Sequence, residues 1–233
     1  NDWPLLAGIL QKGLDAIGED ERRRIRRRWI TLRQTDVPAA DLGLTVEERA
    51  WLDQHPTIRT GSDAGWPPIE FVDPNGIYQG IAADYLKLLE RRLSIAFSVL
   101  ANESWPAILD QVQARNLDLV SAVSRSEERE QYLAFTHPYF SVPYHIYTRQ
   151  DDNRIAGLRD LAELTVAVEK DFHLHERLSL ERPAIRLRVV NNTREALEVV
   201  AFGRADAYIG NPAVAGWLIE HDQLPGLKEA AVA

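Results

Sequence analysis

The stretch Leu117-Asp-Leu-Val-Ser-Ala-Val-Ser-Arg-Ser-Glu-Glu-Arg129 decides how this chain folds. It begins with an apolar run, residues 117–123, whose pattern is typical of a buried strand. The run then becomes polar, which puts serine hydroxyls and Arg129 at a strand tip, where small ligands bind in α/β sheets. The planar guanidinium of Arg129 suits a carboxylate because it donates two parallel hydrogen bonds. A surface ion pair with Glu127 or Glu128 is the open alternative.

Short apolar strands alternate with amphipathic helices along the rest of the chain, and the alternation occurs twice. In the first set we predict strands at 57–60, 69–72 and 95–100 and helices at 47–54, 81–93 and 106–114. In the second we predict helices at 158–161, 172–179, 192–203 and 213–220 and strands at 165–168, 186–190, 205–209 and 227–232. An extended segment, Ser141–Thr148, joins the two sets. This order predicts an α/β fold of two lobes, with mainly parallel sheets and a hinged cleft.

The first 34 residues predict two further helices. Asp2 suits the N-cap of the first helix and Gly18 suits its end. The second helix, from Glu19 to about Arg33, has six arginines within residues 22–28. That run is either a patch for an anionic surface or a solvated helix end, and we favour the solvated end.

The composition excludes several classes of protein. Cysteine is absent, so disulfides, thiol catalysis and Cys-ligated metal sites are excluded. The formal net charge of −8 argues against general nucleic-acid binding. No signal peptide is present and the first residue is Asn1, so we expect a mature or excised piece of a protein.

Five groups of residues form a pattern that resembles one family. They are Trp66-Pro-Pro68 with Glu70-Phe71, Gly76-Ile-Tyr-Gln-Gly80 with Asp84, Leu117–Ser124 with Glu128-Arg129, Phe135-Thr136 with Pro138-Tyr139, and Gly203-Arg-Ala-Asp-Ala-Tyr208. Together they resemble family 3 of the bacterial extracellular solute-binding proteins, the Venus flytrap domains, over about residues 45–233. The chain looks most like the periplasmic sensor type, which occurs in tandem in BvgS-like histidine kinases.

The resemblance implies a domain organisation. Residues 1–34 resemble the C-terminal helices of a flytrap domain, and either belong to a preceding domain or complete this one. Residues 35–44 are then a linker, 45–144 form lobe 1 and 145–226 form lobe 2. Residues 227–233 begin the return crossing to lobe 1, which is cut short.

The resemblance also implies roles for site residues. In amino-acid-binding members, the arginine that matches Arg129 clamps the α-carboxylate of the ligand, assisted by the serine that matches Ser124. Asn211 stands where an aspartate normally holds the ammonium, and a neutral amide is a weaker partner for a cation. This favours a carboxylate without an ammonium, a small amide or an aromatic acid. Asp171 can hold an ammonium itself or cap the following helix, and we favour the cap.

Three further side chains complete the predicted ligand-binding set: Glu70, Trp66 and Tyr78. Trp66, Tyr78 and Trp105 can stack on a ligand, although buried aromatic rings serve packing first. His173 and His175 are two residues apart and point in different directions on a helix, so we predict no metal site. We also predict no cofactor and no catalytic residue.

The function that this implies is a periplasmic sensor domain that binds an amino acid or small carboxylate between two lobes. It would form part of an inner-membrane-anchored protein of the histidine kinase type, with a neighbouring flytrap domain as a partner. A homodimer is left open. The alternatives are a free solute-binding protein of an amino-acid ABC transporter and an enzyme of the cyclohexadienyl dehydratase type, for which Glu70, Glu169 and His173 are the candidate acids.

Overall fold

The computed structural model describes residues 4–30, 42–224 and 226–233, apart from the side chains of residues 4 and 26–30. The chain divides into two compact units. Unit 1 takes the described residues within Asn1–Ala64, Glu70–Glu103 and Ala107–Phe140. Unit 2 takes those within Gly65–Ile69, Ser104–Pro106 and Ser141–Ala233. The predicted N-cap at Asp2 and most of the predicted linker lie outside the described residues.

The helices and strands follow the predicted alternation. The helices are α1 Pro4–Asp15, α2 Glu19–Ile30, α3 Val46–Gln54, α4 Ile81–Leu93, α5 Trp105–Gln113, α6 His173–Glu181, α7 Thr193–Ala201 and α8 Pro212–His221. The strands are β1 Thr57–Gly61, β2 Gly65–Trp66, β3 Glu70–Val72, β4 Tyr78–Gln79, β5 Ala96–Leu100, β6 Leu119–Val120, β7 His145–Arg149, β8 Thr165–Glu169, β9 Arg186–Val190, β10 Ala207–Gly210 and β11 Leu227–Val232. None of the helices in the described ranges is both long and apolar enough to cross a membrane.

The sheet of unit 1 is parallel, with β1 between β5 and β6 among the described strands. Gly61, the last residue of β1, pairs with Val120 of β6. The strand predicted over residues 117–123 is therefore shorter than expected, because its neighbour β1 ends there. Residues that follow β1 and β6 leave the sheet at the same edge, since the two strands run in one direction.

The helix pair α1–α2 packs on unit 1 through α4. A Cβ atom built at Gly13 would lie 2.5 Å from Cδ2 of Leu89, so the two helices approach closely at this point. The guanidinium of Arg92 donates to the carbonyl of Ala16 and to the Glu21 carboxylate. α1 also reaches α3, where the Lys12 ammonium lies 2.6 Å from the Glu48 carboxylate.

The pattern Thr45-Val-Glu-Glu48 predicts a capping box and Asn192 predicts an N-cap, and both predictions are confirmed. Thr45 and Glu48 form a reciprocal capping box at the start of α3. Asn192 accepts a hydrogen bond from the Glu195 amide and begins α7. These short-range sequence signals fix the helix starts because the cap side chain satisfies amides that the helix leaves unbonded.

Unit 2 is built on a five-stranded mixed sheet in the order β11-β7-β10-β8-β9 among the described strands. The strands β10, β8 and β9 are parallel, as predicted, whereas β7 and β11 are antiparallel to their neighbours. The final strand is confirmed over Leu227–Val232, where it pairs with β7. The core of the unit is apolar, and its fully buried members include Ile146, Leu161, Val166, Val168 and Ile209.

One local arrangement occurs in both units. At the end of α3, the imidazole of His55 stacks on the indole of Trp51 at a centroid distance of 4.1 Å. At the end of α8, His221 stacks on Trp217 at 3.9 Å. In each pair Nδ1 of the histidine lies within hydrogen-bond distance of the tryptophan carbonyl, at 2.8 and 2.9 Å.

Candidate functional site

In unit 1, a buried carboxyl group lies beside the ends of β1 and β6. Glu70 is 0 % exposed. It accepts hydrogen bonds from the Asp63 amide at 2.9 Å, from the Tyr78 hydroxyl at 3.1 Å and from the Ser121 hydroxyl. The Tyr139 hydroxyl in turn donates to the Ser121 carbonyl at 2.7 Å. We call these five residues the Glu70 cluster.

The environment of the Glu70 cluster changes the acidity of its members. Burial raises the pKa of the Glu70 carboxyl to about 7, against the opposing effect of its hydrogen bonds, and repulsion from Asp63 adds to the rise. Burial followed by repulsion from Glu70 raises the pKa of Tyr78 and that of Tyr139. A carboxyl group with a pKa near neutrality can change its charge under physiological conditions.

Arg129 closes the loop that follows β6. Its Nη1 donates to the Ser124 carbonyl at 2.9 Å, and its amide donates to the Ser126 hydroxyl at 3.3 Å. The residue is 2 % exposed, whereas the sequence predicted a position in an open cleft. Arg129 begins a 3-10 helix, residues 129–131, and its guanidinium bonds the backbone of the loop that precedes this helix. Ser124 itself is exposed, and it contacts the guanidinium through its carbonyl.

In unit 2, a second buried carboxyl group lies at the end of β8. Glu169 is 2 % exposed and accepts hydrogen bonds from the Thr193 hydroxyl at 2.6 Å and the Tyr208 hydroxyl at 2.8 Å. Tyr208 reaches it along its own strand, over Gly210. A Cβ atom at Gly210 would lie 1.7 Å from the Tyr208 hydroxyl oxygen, so only glycine leaves room for this arrangement.

Asn211 and Asp171 lie at the starts of two helices in unit 2. The Asn211 side chain accepts from the Ala213 amide at 2.9 Å and begins α8. Asp171 has a left-handed backbone with φ of 57°. The preferred prediction that it caps the next helix is wrong: the N-cap of α6 is Phe172, because Asp171 has turned out of the capping conformation.

Aromatic side chains meet at the same turn. The ring of Phe172 contacts the indole of Trp66 at a centroid distance of 5.9 Å and that of Trp105 at 5.8 Å, both edge to face. The Trp105 indole N–H donates to the Asp171 carbonyl at 3.0 Å. Metal-ligating side chains do not converge in the same way: within the described ranges, no group of three or more His, Asp or Glu residues is arranged to hold a metal ion.

Comparisons with known proteins identify the scaffold. Residues 58–223 match the profile of the bacterial extracellular solute-binding proteins, family 3. The chain belongs to this family. The prediction from the sequence motifs is thereby confirmed, and so is the α/β fold of the periplasmic-binding-protein type.

Among curated family relatives, the chain is similar to sensor proteins. It is 23% identical over 217 residues to the sensor protein EvgS of Escherichia coli K12, covering 93% of this chain and 18% of EvgS. It is 24% identical over 204 residues to the virulence sensor protein BvgS of Bordetella pertussis, covering 88% of this chain and 16% of BvgS. The chain therefore spans about one fifth or less of these relatives.

Solved structures of solute-binding and sensor domains are also similar to this chain. A histidine kinase sensor domain with similarity to periplasmic binding proteins is 27% identical, with a TM-score of 0.73, over 77% of this chain and 78% of that one. An ancestral arginine-binding protein bound to glutamine is 25% identical, with a TM-score of 0.70, over 77% of this chain and 80% of that one.

Within this family 3 scaffold, the structure brings together some predicted site residues and leaves others apart. Glu70 and Tyr78 share one hydrogen-bonded cluster. Trp66 contacts the ring of Phe172, a residue that the sequence predicted only as part of a helix. Phe172 was missed although it has a visible signal in the sequence, because it is the one apolar residue in the polar stretch Glu169-Lys-Asp-Phe-His173.

Other participants were missed for a different reason. The hydroxyls of Ser121, Thr193 and Tyr208 donate to buried carboxylates, and that of Tyr139 donates to the Ser121 carbonyl. An isolated hydroxyl residue carries no distinctive spacing in the sequence. Only the fold shows that residues far apart in sequence converge, as Glu169 and Tyr208 do.

Proposed function

We propose that this chain is a periplasmic, ligand-binding sensor domain of a membrane-anchored signalling protein of the histidine kinase type. The observation that carries this proposal is the similarity to EvgS across 93% of the chain, together with membership of a solute-binding family. The domain itself has no catalytic role in this proposal. Signal output belongs to parts of the full protein beyond this segment.

The ligand we propose is a small carboxylate, with an amino acid as the second candidate. Arg129 supports this choice because its guanidinium is a permanent positive charge held away from bulk water, where attraction to an anion is stronger than at an exposed site. Asn211 supports the preference over a zwitterion. A neutral amide that accepts from the Ala213 amide offers no negative charge to an ammonium.

Signalling then follows from differential affinity. A ligand shifts a conformational equilibrium only if it binds one state more tightly than the other. We propose that ligand binding favours one conformation of the sensor domain, and that the remainder of the protein responds to that change. A neighbouring flytrap domain is the proposed first recipient of the signal.

The binding part of the proposal is tested on the purified chain by thermal shift and calorimetry against amino acids, small carboxylic acids and aromatic acids. A true ligand at about 100 times its Kd should stabilise the folded state by about 2.7 kcal/mol. The variant Arg129→Lys keeps the charge but loses the planar fork, and we expect at least tenfold weaker binding of a carboxylate. The control Arg125→Lys changes an exposed arginine of the same loop and should leave binding unchanged.

The signalling part is tested on the full-length protein in membrane vesicles. The carboxylate found in the screen should change the autophosphorylation rate, and Arg129→Lys should remove that response. A full-length protein without a signalling domain, or a response that is the same with and without the ligand, would favour the alternative of a free transport-binding protein.

We also propose that α1 and α2 complete unit 1 of this domain instead of serving a preceding one. Leu6, Ile9, Leu10, Leu14 and Ile17 are all buried, and both helices contact α4. Amide hydrogen exchange tests the proposal, because helices that belong to unit 1 should exchange as slowly as α4. Exchange of α1 on the timescale of an exposed peptide would contradict it.

A further inference from the structure

The turn between β8 and α6 holds Phe172 against two tryptophans. Its ring lies edge to face with Trp66 and with Trp105, and both contacts have the geometry in which aromatic pairs attract. Three aromatic rings therefore meet beside Asp171, and both Asp171 and Trp66 belong to the predicted ligand-binding set.

The backbone of the turn is arranged to keep Phe172 in this position. Asp171 adopts a left-handed conformation, which is uncommon for a residue with a side chain. Its amide donates to Nδ1 of His175 at 3.3 Å and its carbonyl accepts from the Trp105 indole at 3.0 Å. Both backbone hydrogen-bonding groups of Asp171 are thus engaged, and its carbonyl is bonded by a tryptophan that the Phe172 ring contacts.

From this geometry we propose that Phe172 is a built-in occupant of an aromatic site whose other members are Trp66 and Trp105. A ligand that carries an aromatic ring takes its place by displacing Phe172. This inference rests on the proposed ligand-binding function and names its ligand class: a planar aromatic acid whose ring replaces that of Phe172.

Two consequences separate this inference from ordinary core packing. Phe172 competes with the ligand, so its removal strengthens binding of an aromatic molecule. The increase in affinity depends on the aromatic ring of the ligand and not on its carboxylate. A neutral aromatic molecule should therefore also bind more tightly once Phe172 is removed. An aliphatic acid such as acetate does not fill the vacated space, so its affinity should not change.

The experiment compares the unmodified chain with Phe172→Ala by fluorescence and calorimetric titration with benzoate, phenol and acetate. The matched control is Phe202→Ala, which removes a phenylalanine that is 72 % exposed. A second variant, Phe172→Leu, refills most of the volume without a ring. Near-UV and far-UV circular dichroism establish that each variant is folded.

We expect Phe172→Ala to bind benzoate and phenol at least tenfold more tightly than the unmodified chain, with acetate unchanged. Phe202→Ala and Phe172→Leu should both remain within about threefold of the unmodified chain. Equal affinity of the folded Phe172→Ala variant and the unmodified chain for both aromatic probes overturns the inference.

The proposed function and this inference fail in different ways. If the chain binds carboxylates through Arg129 but Phe172→Ala does not raise the affinity for phenol, the proposed sensor function stands. The proposal that Phe172 occupies a ligand site is then wrong. If Phe172→Ala gains affinity for phenol while carboxylate binding does not depend on Arg129, the aromatic site stands and the carboxylate proposal is wrong.

Discussion

The guanidinium of Arg92 on α4 donates to both carboxylate oxygens of Glu21 on α2, at 2.8 and 2.7 Å, and both side chains are nearly buried. Breaking a buried ion pair by removing one partner leaves a charge without compensation, which costs about 3 kcal/mol or more. We expect Glu21→Gln to lower the free energy of unfolding by that amount in urea titrations.

The matched control for that substitution is Asp20→Asn. Asp20 forms an ion pair with Arg23 on the exposed side of the same helix, where such pairs contribute little. A change below about 0.5 kcal/mol is expected. Equal effects of the two substitutions would mean that the Glu21 pair does not hold α2 on unit 1.

Two glycines of α1 provide an independent test of the same interface. No described atom lies within 4 Å of a Cβ built at Gly8, whereas one at Gly13 would lie 2.5 Å from Leu89. Gly8→Ala should stabilise by about 0.5 kcal/mol through helix propensity, and Gly13→Ala should destabilise by about 1 to 2 kcal/mol through overpacking. Thermal unfolding measures both, and the same sign of effect for both would contradict the packing of α1 on α4.

The Glu70 carboxyl predicts a pH dependence of stability. Its pKa is about 7 in the folded state and 4.5 when unperturbed. Between these values the folded state binds the proton and the unfolded state has released it, so stability falls as pH rises through this window. The expected loss from pH 5 to pH 8 is about 3 kcal/mol.

Denaturant unfolding of Glu70→Gln at the two pH values checks this expectation. The amide cannot ionise, so the variant should lose about 3 kcal/mol less than the unmodified chain between pH 5 and pH 8. The control Glu128→Gln, at an exposed position, should show the ordinary dependence. If Glu70→Gln loses as much stability between pH 5 and pH 8 as the unmodified chain does, the titrating group is a residue other than Glu70.

Glycine at position 210 leaves the space through which the Tyr208 hydroxyl reaches the Glu169 carboxylate. Gly210→Ala puts a methyl group onto the Tyr208 hydroxyl and should cost about 2 kcal/mol or more, with a change in the near-UV circular dichroism of tyrosine. Gly216→Ala is the control, because no described atom lies within 4 Å of its added methyl group, and α8 should be slightly stabilised. An unperturbed Gly210→Ala would show that the Tyr208–Glu169 contact is dispensable.

Arg129 contributes to stability as well as to the proposed ligand site. Because its side chain is buried and bonded to the Ser124 carbonyl, Arg129→Ala should lower the free energy of unfolding by about 2 kcal/mol. Arg125→Ala, at an exposed position in the same loop, should change it by less than about 0.5 kcal/mol. Chemical denaturation without ligand distinguishes the two.

Local sequence signals predicted the helices and strands well where the bounds of an element depend on its own residues alone. The helix Ile81–Leu93 and the strand Arg186–Val190 were predicted to the residue, because apolar periodicity and flanking turn residues are contained within each segment. Strand β6 was overestimated because its length depends on β1, a separate segment whose end at Gly61 cannot be inferred from the apolar run itself.

The site was less predictable for a similar reason. Arg129 was identified as the central residue, but its burial depends on how residues 124–129 turn back on themselves. Aspartate is a residue type that often caps helices, but Asp171 has a left-handed backbone instead. Its contacts with Trp105 and His175, which the sequence does not reveal, accompany this conformation. Residue type suggests what a side chain is able to do, whereas its neighbours in space decide what it does.

The stacked pairs at the ends of α3 and α8 give this protein an intrinsic optical signal in each of its two units. An indole stacked on an imidazole loses that contact when its unit unfolds, so its emission changes. The chain has six tryptophans, so the contribution of Trp51 or Trp217 is the difference between the emission of the unmodified chain and that of its Trp51→Phe or Trp217→Phe variant. Each half of the molecule can then be observed during unfolding without an attached dye.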